Sequence, residues 1–375
     1  MKILCEGKCI RLRMESTEKN SVLITGGSRM GKTFFASNFA RQLMEEGHTV
    51  HLIDLGEKWS RQNKERLSSA GAITNEVSKQ GMELAFGSET ELYGCAKVIA
   101  NVLGFRSPAA EAVLAECLQI KPNAKETGVS IKNVTACLNT WDTTDAEKQG
   151  WAAKISMRLR EWTAIPDIRF CMGQGRGNFE KSAIWDFSGL GSAYIELAAY
   201  LLVYCLYCQQ KREFKNGSRM NKTYVIIDEF QNLDCDRKSI IGTCLAEGQK
   251  YGLLLVLITQ FLKGNFSDAV LNQFKQGGYR FYFRLTEEEA AIVSRQLSCN
   301  PQVQIELRRK LAAMPRGNCL MMGLHSVGNR KEVTEVFRFV EIQEDVHSHK
   351  KVRSNILHEG GLHRGRVYAP RGMEV

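Results

Sequence analysis

Hydrophobic and polar positions along this 375-residue chain switch between two periods, and the switches predict an ordered series of strands and helices. Lys8-Cys-Ile-Arg-Leu-Arg-Met14 alternates in period two, so residues 1–19 are expected to form a short hairpin and a polar turn. Ser21-Val-Leu-Ile-Thr25 is a β-rich run, after which Phe35, Phe39 and Leu43 recur at helical spacing up to a stop near Gly47. Thr49-Val-His-Leu-Ile53 reads as the next strand, ending at Asp54, and completes one βαβ unit. From about 91 to 165 the period is helical, over 96–103, 109–118, 131–138 and 151–162, which predicts an all-α insertion. Strand signals return at 168–172 and 183–187, a long apolar helix follows over 193–210, and then strand 223–227, helix 238–250 and strands 253–258 and 279–283. Helices at 286–297 and 301–312 and β runs near 318–323 and 332–340 close the series. Strands alternating with helices predict an α/β fold with a mostly parallel sheet covered on both faces. The expected organisation is a hairpin at 1–19, a core from 20–90 and 166–340, the helical insertion at 91–165 and a tail at 341–375.

Between the first long strand and its helix stands Gly26-Gly27-Ser28-Arg29-Met30-Gly31-Lys32-Thr33, a complete G-x-x-x-x-G-K-[ST] phosphate loop, followed by Phe34. Glycines let such a backbone fold closely around phosphates, its N–H groups point inward, and the helix N-terminus adds a positive dipole end. Residues Gly26 to Phe34 are therefore the candidate nucleotide-binding stretch, with Lys32 reaching the β- and γ-phosphates and Thr33 holding Mg²⁺.

Tyr224-Val-Ile-Ile-Asp228-Glu229 is an apolar strand that ends in two acids, the pattern of the strand that supports Mg²⁺ beside a phosphate loop. Asp228 is the candidate metal residue, and Glu229 is the candidate general base for water attacking the γ-phosphate. Leu253-Leu-Leu-Val-Leu-Ile258 ends in Thr259-Gln260, which places a carboxamide where it can sense the γ-phosphate and the attacking water.

In this order of motifs the chain resembles the HerA/FtsK superfamily of P-loop motor ATPases, and its HerA-like members more closely than the septal translocases. The resemblance runs through Ile24-Thr-Gly-Gly-Ser-Arg-Met-Gly-Lys-Thr33, Asp54-Leu-Gly-Glu-Lys-Trp59, Trp185-Asp-Phe-Ser-Gly-Leu190, Ile227-Asp-Glu-Phe-Gln-Asn-Leu233 and Glu247-Gly-Gln-Lys-Tyr-Gly252 leading to Ile258-Thr-Gln260, over roughly residues 20–340. It implies a RecA-like core that hydrolyses ATP at the subunit interfaces of a hexameric ring and, in many members, pumps DNA through the pore. It assigns phosphate and metal binding to Lys32 and Thr33, Mg²⁺ support to Asp228, water activation to Glu229 and γ-phosphate sensing to Gln260. The spacing before Gly56-Glu57 is one residue shorter than the family's, and Phe261 replaces the family's basic residue. An arginine finger must therefore come from elsewhere, with Arg284 and Arg280 as candidates for action in trans. The N-terminal β-barrel of many HerA proteins is reduced to the short hairpin; a companion nuclease or other effector protein is a further partner that the resemblance suggests.

Composition adds an ordinary globular balance, with 43% hydrophobic and 25% charged residues. The net charge of +10 favours an anionic partner, and DNA fits both it and the resemblance. Lys350, Lys351, Arg353, Arg364, Arg366 and Arg371 stand against one acid, Glu359, and read as a mobile basic tail. The longest apolar run, Leu197–Cys208, is 12 residues, too short for a bilayer span, and the N-terminus lacks a signal pattern, so a cytoplasmic protein without membrane insertion is expected. The 12 cysteines lack paired zinc spacing, and Cys205-x-x-Cys208 is expected to be core packing inside the apolar helix.

Overall fold

The computed structural model describes residues 2–5, 8–12, 21–55, 59–119, 128–162, 167–172, 178–217, 222–233, 239–262, 278–327, 334–335 and 338–342. In chain order the strands are β1 (Lys2–Cys5), β2 (Lys8–Leu12), β3 (Val22–Thr25), β4 (Thr49–Asp54), β5 (Ile73–Glu76), β6 (Met82–Phe86), β7 (Val129–Ser130), β8 (Ile168–Met172), β9 (Ala183–Asp186), β10 (Thr223–Asp228), β11 (Leu253–Thr259), β12 (Tyr279–Tyr282), β13 (Asn318–Met322), β14 (Leu324–Val327), β15 (Thr334–Glu335) and β16 (Arg338–Glu341). The α-helices are α1 (Lys32–Glu45), α2 (Arg61–Ser69), α3 (Val77–Gln80), α4 (Glu89–Val102), α5 (Pro108–Leu118), α6 (Ile131–Asn139), α7 (Ala146–Leu159), α8 (Ser192–Lys215), α9 (Ile240–Glu247), α10 (Glu287–Leu297) and α11 (Pro301–Ala312).

The main sheet has nine strands in the order β16-β13-β12-β3-β11-β10-β4-β9-β5. From β12 to β5 every neighbouring pair is parallel, and β13 and β16 add an antiparallel edge. Every residue of β10 and β11 is buried, which is why both read as unbroken apolar runs rather than alternating ones. Phe35, Phe39 and Leu43 of α1 are buried, and the Phe35 ring lies 4.5 Å from that of Phe281 on β12. Burying one such phenylalanine contributes about 2–3 kcal/mol and fixes the helix that begins at the phosphate loop.

A second sheet, β6-β8-β7, carries the helical part of the chain. Residues 91–165 contain α5 to α7 and most of α4, as the helical period predicts, together with the two-residue strand β7. β6 and β8 fall in the stretches expected to belong to the core sheet, yet they pair in parallel with each other. Gly81 is the reason at their common start: its φ is +70°, and a Cβ there would lie 2.3 Å from the Asp167 carbonyl oxygen, so the two chains approach closely enough for Met82 N–H to donate to that oxygen at 2.9 Å. The N-terminal hairpin forms, with β1 antiparallel to β2, and β14 and β15 extend it to a four-stranded sheet.

Among the described residues no helix is long and apolar enough to cross a membrane. The longest helix, α8, buries Ala198 to Val203 without a break, which suits an element enclosed by protein. Cys205 and Cys208 lie in its core: the Cys205 thiol donates to the Ala85 carbonyl at 3.3 Å, and burial pushes the Cys208 thiol up to about 12. Such thiols are unreactive packing groups, as expected. The basic tail and Glu57 lie outside the described residues.

Candidate active site

Parallel strands bring their carboxyl ends to one edge, and the expected motifs meet there. β3 runs between β11 and β12, so the phosphate loop that leaves Thr25 lies beside Gln260 at the end of β11. β10 follows on the other side of β11, with Asp228 level with Asp54 of β4, which is in turn level with Asp186 of β9.

The loop's backbone is built for close approach. Gly26 has φ +141°, and a Cβ there would meet the Phe283 Cβ at 2.7 Å and the Arg284 carbonyl oxygen at 2.9 Å. Gly31 takes φ +107° as the N-cap of α1. Gly27 N–H donates to the Arg284 carbonyl at 2.7 Å, and Gly317 N–H donates to the Met30 carbonyl at 3.0 Å, so the loop is anchored from outside. Lys32, only 7% exposed, folds its ammonium back onto the carbonyls of Gly26 (2.5 Å) and Gly27 (2.9 Å). A buried ammonium that rests on neutral carbonyls is a group suited to an anion in the same cradle. Ser28 and Arg29 are exposed at the loop's tip, and the Arg66 guanidinium lies 5.3 Å from the centre of the half-buried Phe34 ring.

Thr33 Oγ1 donates to Asp228 Oδ2 at a long 3.4 Å, which joins the two expected metal residues. The same oxygen accepts the Trp59 indole N–H at 2.8 Å, and Oδ1 accepts the Glu229 amide at 2.8 Å. Burial pushes the Asp228 carboxyl up to about 6; the Glu229 amide and Trp59 oppose the rise, while the charges of Glu229 and Asp54 add to it. A buried carboxylate beside two others, facing a threonine hydroxyl, is a donor set that fits Mg²⁺. Farther along the edge the Lys64 ammonium lies 2.6 Å from Asp186 and 3.6 Å from Asp54. Desolvation raises the Asp186 carboxyl, but hydrogen bonds from Lys64 and Ser188 outweigh it and hold the group below the usual carboxylate range.

Glu229 is 6% exposed and sits in the left-handed region at φ 55°, ψ 39°. Among the described residues only it and Arg29 are non-glycine residues with positive φ, and both border the phosphate crevice. Strain of this kind costs about 1–3 kcal/mol and collects where function needs a particular side-chain direction. Gln260 Nε2 donates to both Glu229 oxygens at 2.9 Å, and Gln260 Oε1 accepts from Ser28 Oγ at 2.8 Å. Gln231 Nε2 also donates to Glu229, and Gln231 Oε1 accepts the Gln260 amide at 3.2 Å.

The two arginine candidates part company. Arg280 lies on β12 between β3 and β13 and is buried within the chain, at 8% exposure. Arg284, just past the end of β12, is exposed, and its Nε donates to the Met314 carbonyl at 2.7 Å.

No family model matches the sequence, and no curated protein matches it. Solved structures do match. The VirB4 protein of Thermoanaerobacter pseudethanolicus superposes with a TM-score of 0.60 at 13% identity, over 88% of this chain and 91% of that one. The plasmid coupling protein TrwB bound to the ATP analogue ADPNP gives 0.56 at 12% identity, over 86% and 85%, and TrwB with ADP and Mg²⁺ gives 0.53 at 12% over the same shares. The fold is that of the RecA-like P-loop ATPases.

Trp59, Lys64 and Gln231 carry site contacts that motif spacing does not assign. Trp59 closes the motif that starts at Asp54, and a buried indole N–H needs an acceptor, so its position had a signal. Gln231 stands two residues after Glu229, and only the left-handed turn at Glu229 brings its carboxamide back.

Proposed function

We propose that this chain is an ATP-hydrolysing motor that acts on DNA as a homo-hexameric ring of HerA/FtsK type. What carries the reading is the single crevice in which a phosphate loop, Asp228 facing Thr33, and Glu229 linked through Gln260 to Ser28 come together. With ATP bound, the Lys32 ammonium exchanges the Gly26 and Gly27 carbonyls for phosphate oxygens. Thr33 and Asp228 would hold Mg²⁺, which supplies positive charge against the phosphate oxygens. Glu229 accepts the proton of the attacking water, and Gln260 positions that water against the γ-phosphate. Arg284 completes the site, and in the ring it does so for the neighbouring subunit; mixing Arg284→Ala with Glu229→Gln subunits then restores part of the turnover that each lacks.

DNA as the track is supported by the +10 charge, the basic run from Lys350 to Arg371 and the likeness to the bacterial conjugative coupling protein TrwB. The test is ATP turnover with and without single- and double-stranded DNA at several ionic strengths. Stimulation that fades steeply with salt supports the reading. Turnover indifferent to DNA and raised by a protein partner would instead favour a conjugation- or secretion-type protein motor, or a ring that controls a companion nuclease or other effector.

A further inference from the structure

The carboxylate of Glu229 is held by the carboxamides of Gln260 and Gln231, and the Gln231 carboxamide also holds the Gln260 backbone. Gln260 donates to both its oxygens, Gln231 donates to one of them, and the Gln231 oxygen accepts the backbone N–H of Gln260. These contacts close a ring through Glu229, Gln231 and Gln260, which couples the turn after β10 to the end of β11. The Gln260 carbonyl oxygen takes the ring one step farther, to the Ser28 hydroxyl on the phosphate loop. Gln231 reaches this place because Asn232 N–H bonds back to the Glu229 carbonyl at 2.9 Å and winds Phe230–Asn232 into a 3-10 turn.

Neither Gln231 nor Ser28 has a task in hydrolysis through its side chain, beyond the loop membership of Ser28. Each carboxylate oxygen accepts at least one amide N–H in this arrangement, so the amides set the direction in which the remaining lone pairs of Glu229 face water. Nucleotide phosphates entering the loop compete for the Ser28 hydroxyl, and that hydroxyl joins the loop's tip to the ring. We propose that Gln231 is a positioning residue that holds the Glu229 carboxylate and the Gln260 strand end in one register, and that Ser28 links this brace to occupancy of the phosphate loop. The proposal rests on the hydrolysis reading above and adds to it the residues that aim the base.

The test uses the full chain and three variants, Gln231→Met, Ser28→Ala and the double variant. Steady-state kcat and KM are measured beside equilibrium binding of a fluorescent ATP analogue and the thermal midpoint. Methionine keeps the length of Gln231 and removes both hydrogen bonds, so kcat should fall on the order of 10- to 100-fold, as expected for a misaimed reacting group. Analogue affinity and thermal midpoint should stay at their wild-type values. Ser28→Ala should also lower kcat, and the double variant should lose less than the product of the two single losses, because both residues act through one bridge. Wild-type kcat in Gln231→Met, a parallel loss of binding and thermal midpoint, or independent multiplication of the two effects overturns the proposal. A wild-type chain without ATP turnover removes the hydrolysis reading and this inference with it, whereas turnover that ignores Gln231→Met removes only the inference.

Discussion

Gln260 donates its side-chain N–H groups to both carboxylate oxygens of Glu229, each at 2.9 Å, while its own carbonyl oxygen accepts from Ser28 at 2.8 Å. The residue at the end of one strand thereby aims the acid at the end of the next and touches the phosphate loop. Gln260→Leu keeps the volume and removes these bonds. Turnover should drop by about 100-fold, the scale of losing one oriented hydrogen-bonding group in an active site, with ATP affinity changed only a few-fold. Steady-state kinetics beside nucleotide titration check it.

Trp59 ties the second-strand motif to the metal site through its indole N–H on Asp228. Trp59→Phe leaves Asp228 with one donor fewer on a buried carboxylate. Hydrogen bonds to charged groups contribute about 1.5–3 kcal/mol, so the unfolding free energy of the nucleotide-free protein, read by denaturant titration, should fall by about that much. Saturating Mg²⁺-ATP should recover part of the loss, since a ligand that binds only the folded state stabilises it.

His51 gives the protein an acid-sensitive core. Its Nδ1 accepts the Trp185 indole N–H at 3.2 Å and its Nε2 donates to the Phe179 carbonyl at 3.1 Å, which fixes the neutral tautomer. Burial lowers the group from 6.5 to about 4, against a smaller upward pull from the Phe179 carbonyl. Between those values the unfolded chain binds a proton that the folded chain refuses, so stability from this group is full above pH 6.5 and declines as pH falls toward 4. From pH 7.5 to 5 the loss is about 2 kcal/mol. Chemical denaturation of wild type and His51→Gln over this window should show a flatter dependence in the variant.

Gly26 tests the loop's geometry. Gly26→Ala places a Cβ against Phe283 and the Arg284 carbonyl at a φ that alanine avoids. The expected outcome is loss of nucleotide binding and about 2 kcal/mol of stability, on the scale of a strained backbone position. Retained ATP affinity in a circular-dichroism-normal variant would contradict the described loop conformation.

The parts of the site that were legible in the sequence are those set by local order. Gly26 to Thr33, Asp228, Glu229 and Gln260 each follow an apolar strand, and a parallel sheet must bring such strand ends together. The sequence ranks Arg284 above Arg280 but carries no measure of burial for either; Arg280 lies within β12 and is buried, whereas Arg284 lies beyond the strand end and is exposed. The stretch from Leu55 to Gly87 gave no clear signal because α2, β5, α3 and β6 are short and β5 is only half-buried, too little for a sustained period. The second sheet stays hidden for another reason: the facing positions of β6 and β8, such as Phe86 and Met172, are 86 residues apart in the chain, and pairing at that distance leaves no local trace.

ATP affinity and turnover of Glu229→Gln, measured side by side with wild type and Lys32→Ala, test the central claim most directly. Glutamine keeps the size of Glu229 but cannot take the proton of the attacking water. The account expects Glu229→Gln to bind ATP as wild type does and to turn it over at least about 100-fold more slowly, while Lys32→Ala loses binding. Wild-type turnover in Glu229→Gln would contradict the assignment of Glu229 as the base, and wild-type binding in Lys32→Ala would contradict the placing of ATP in this crevice.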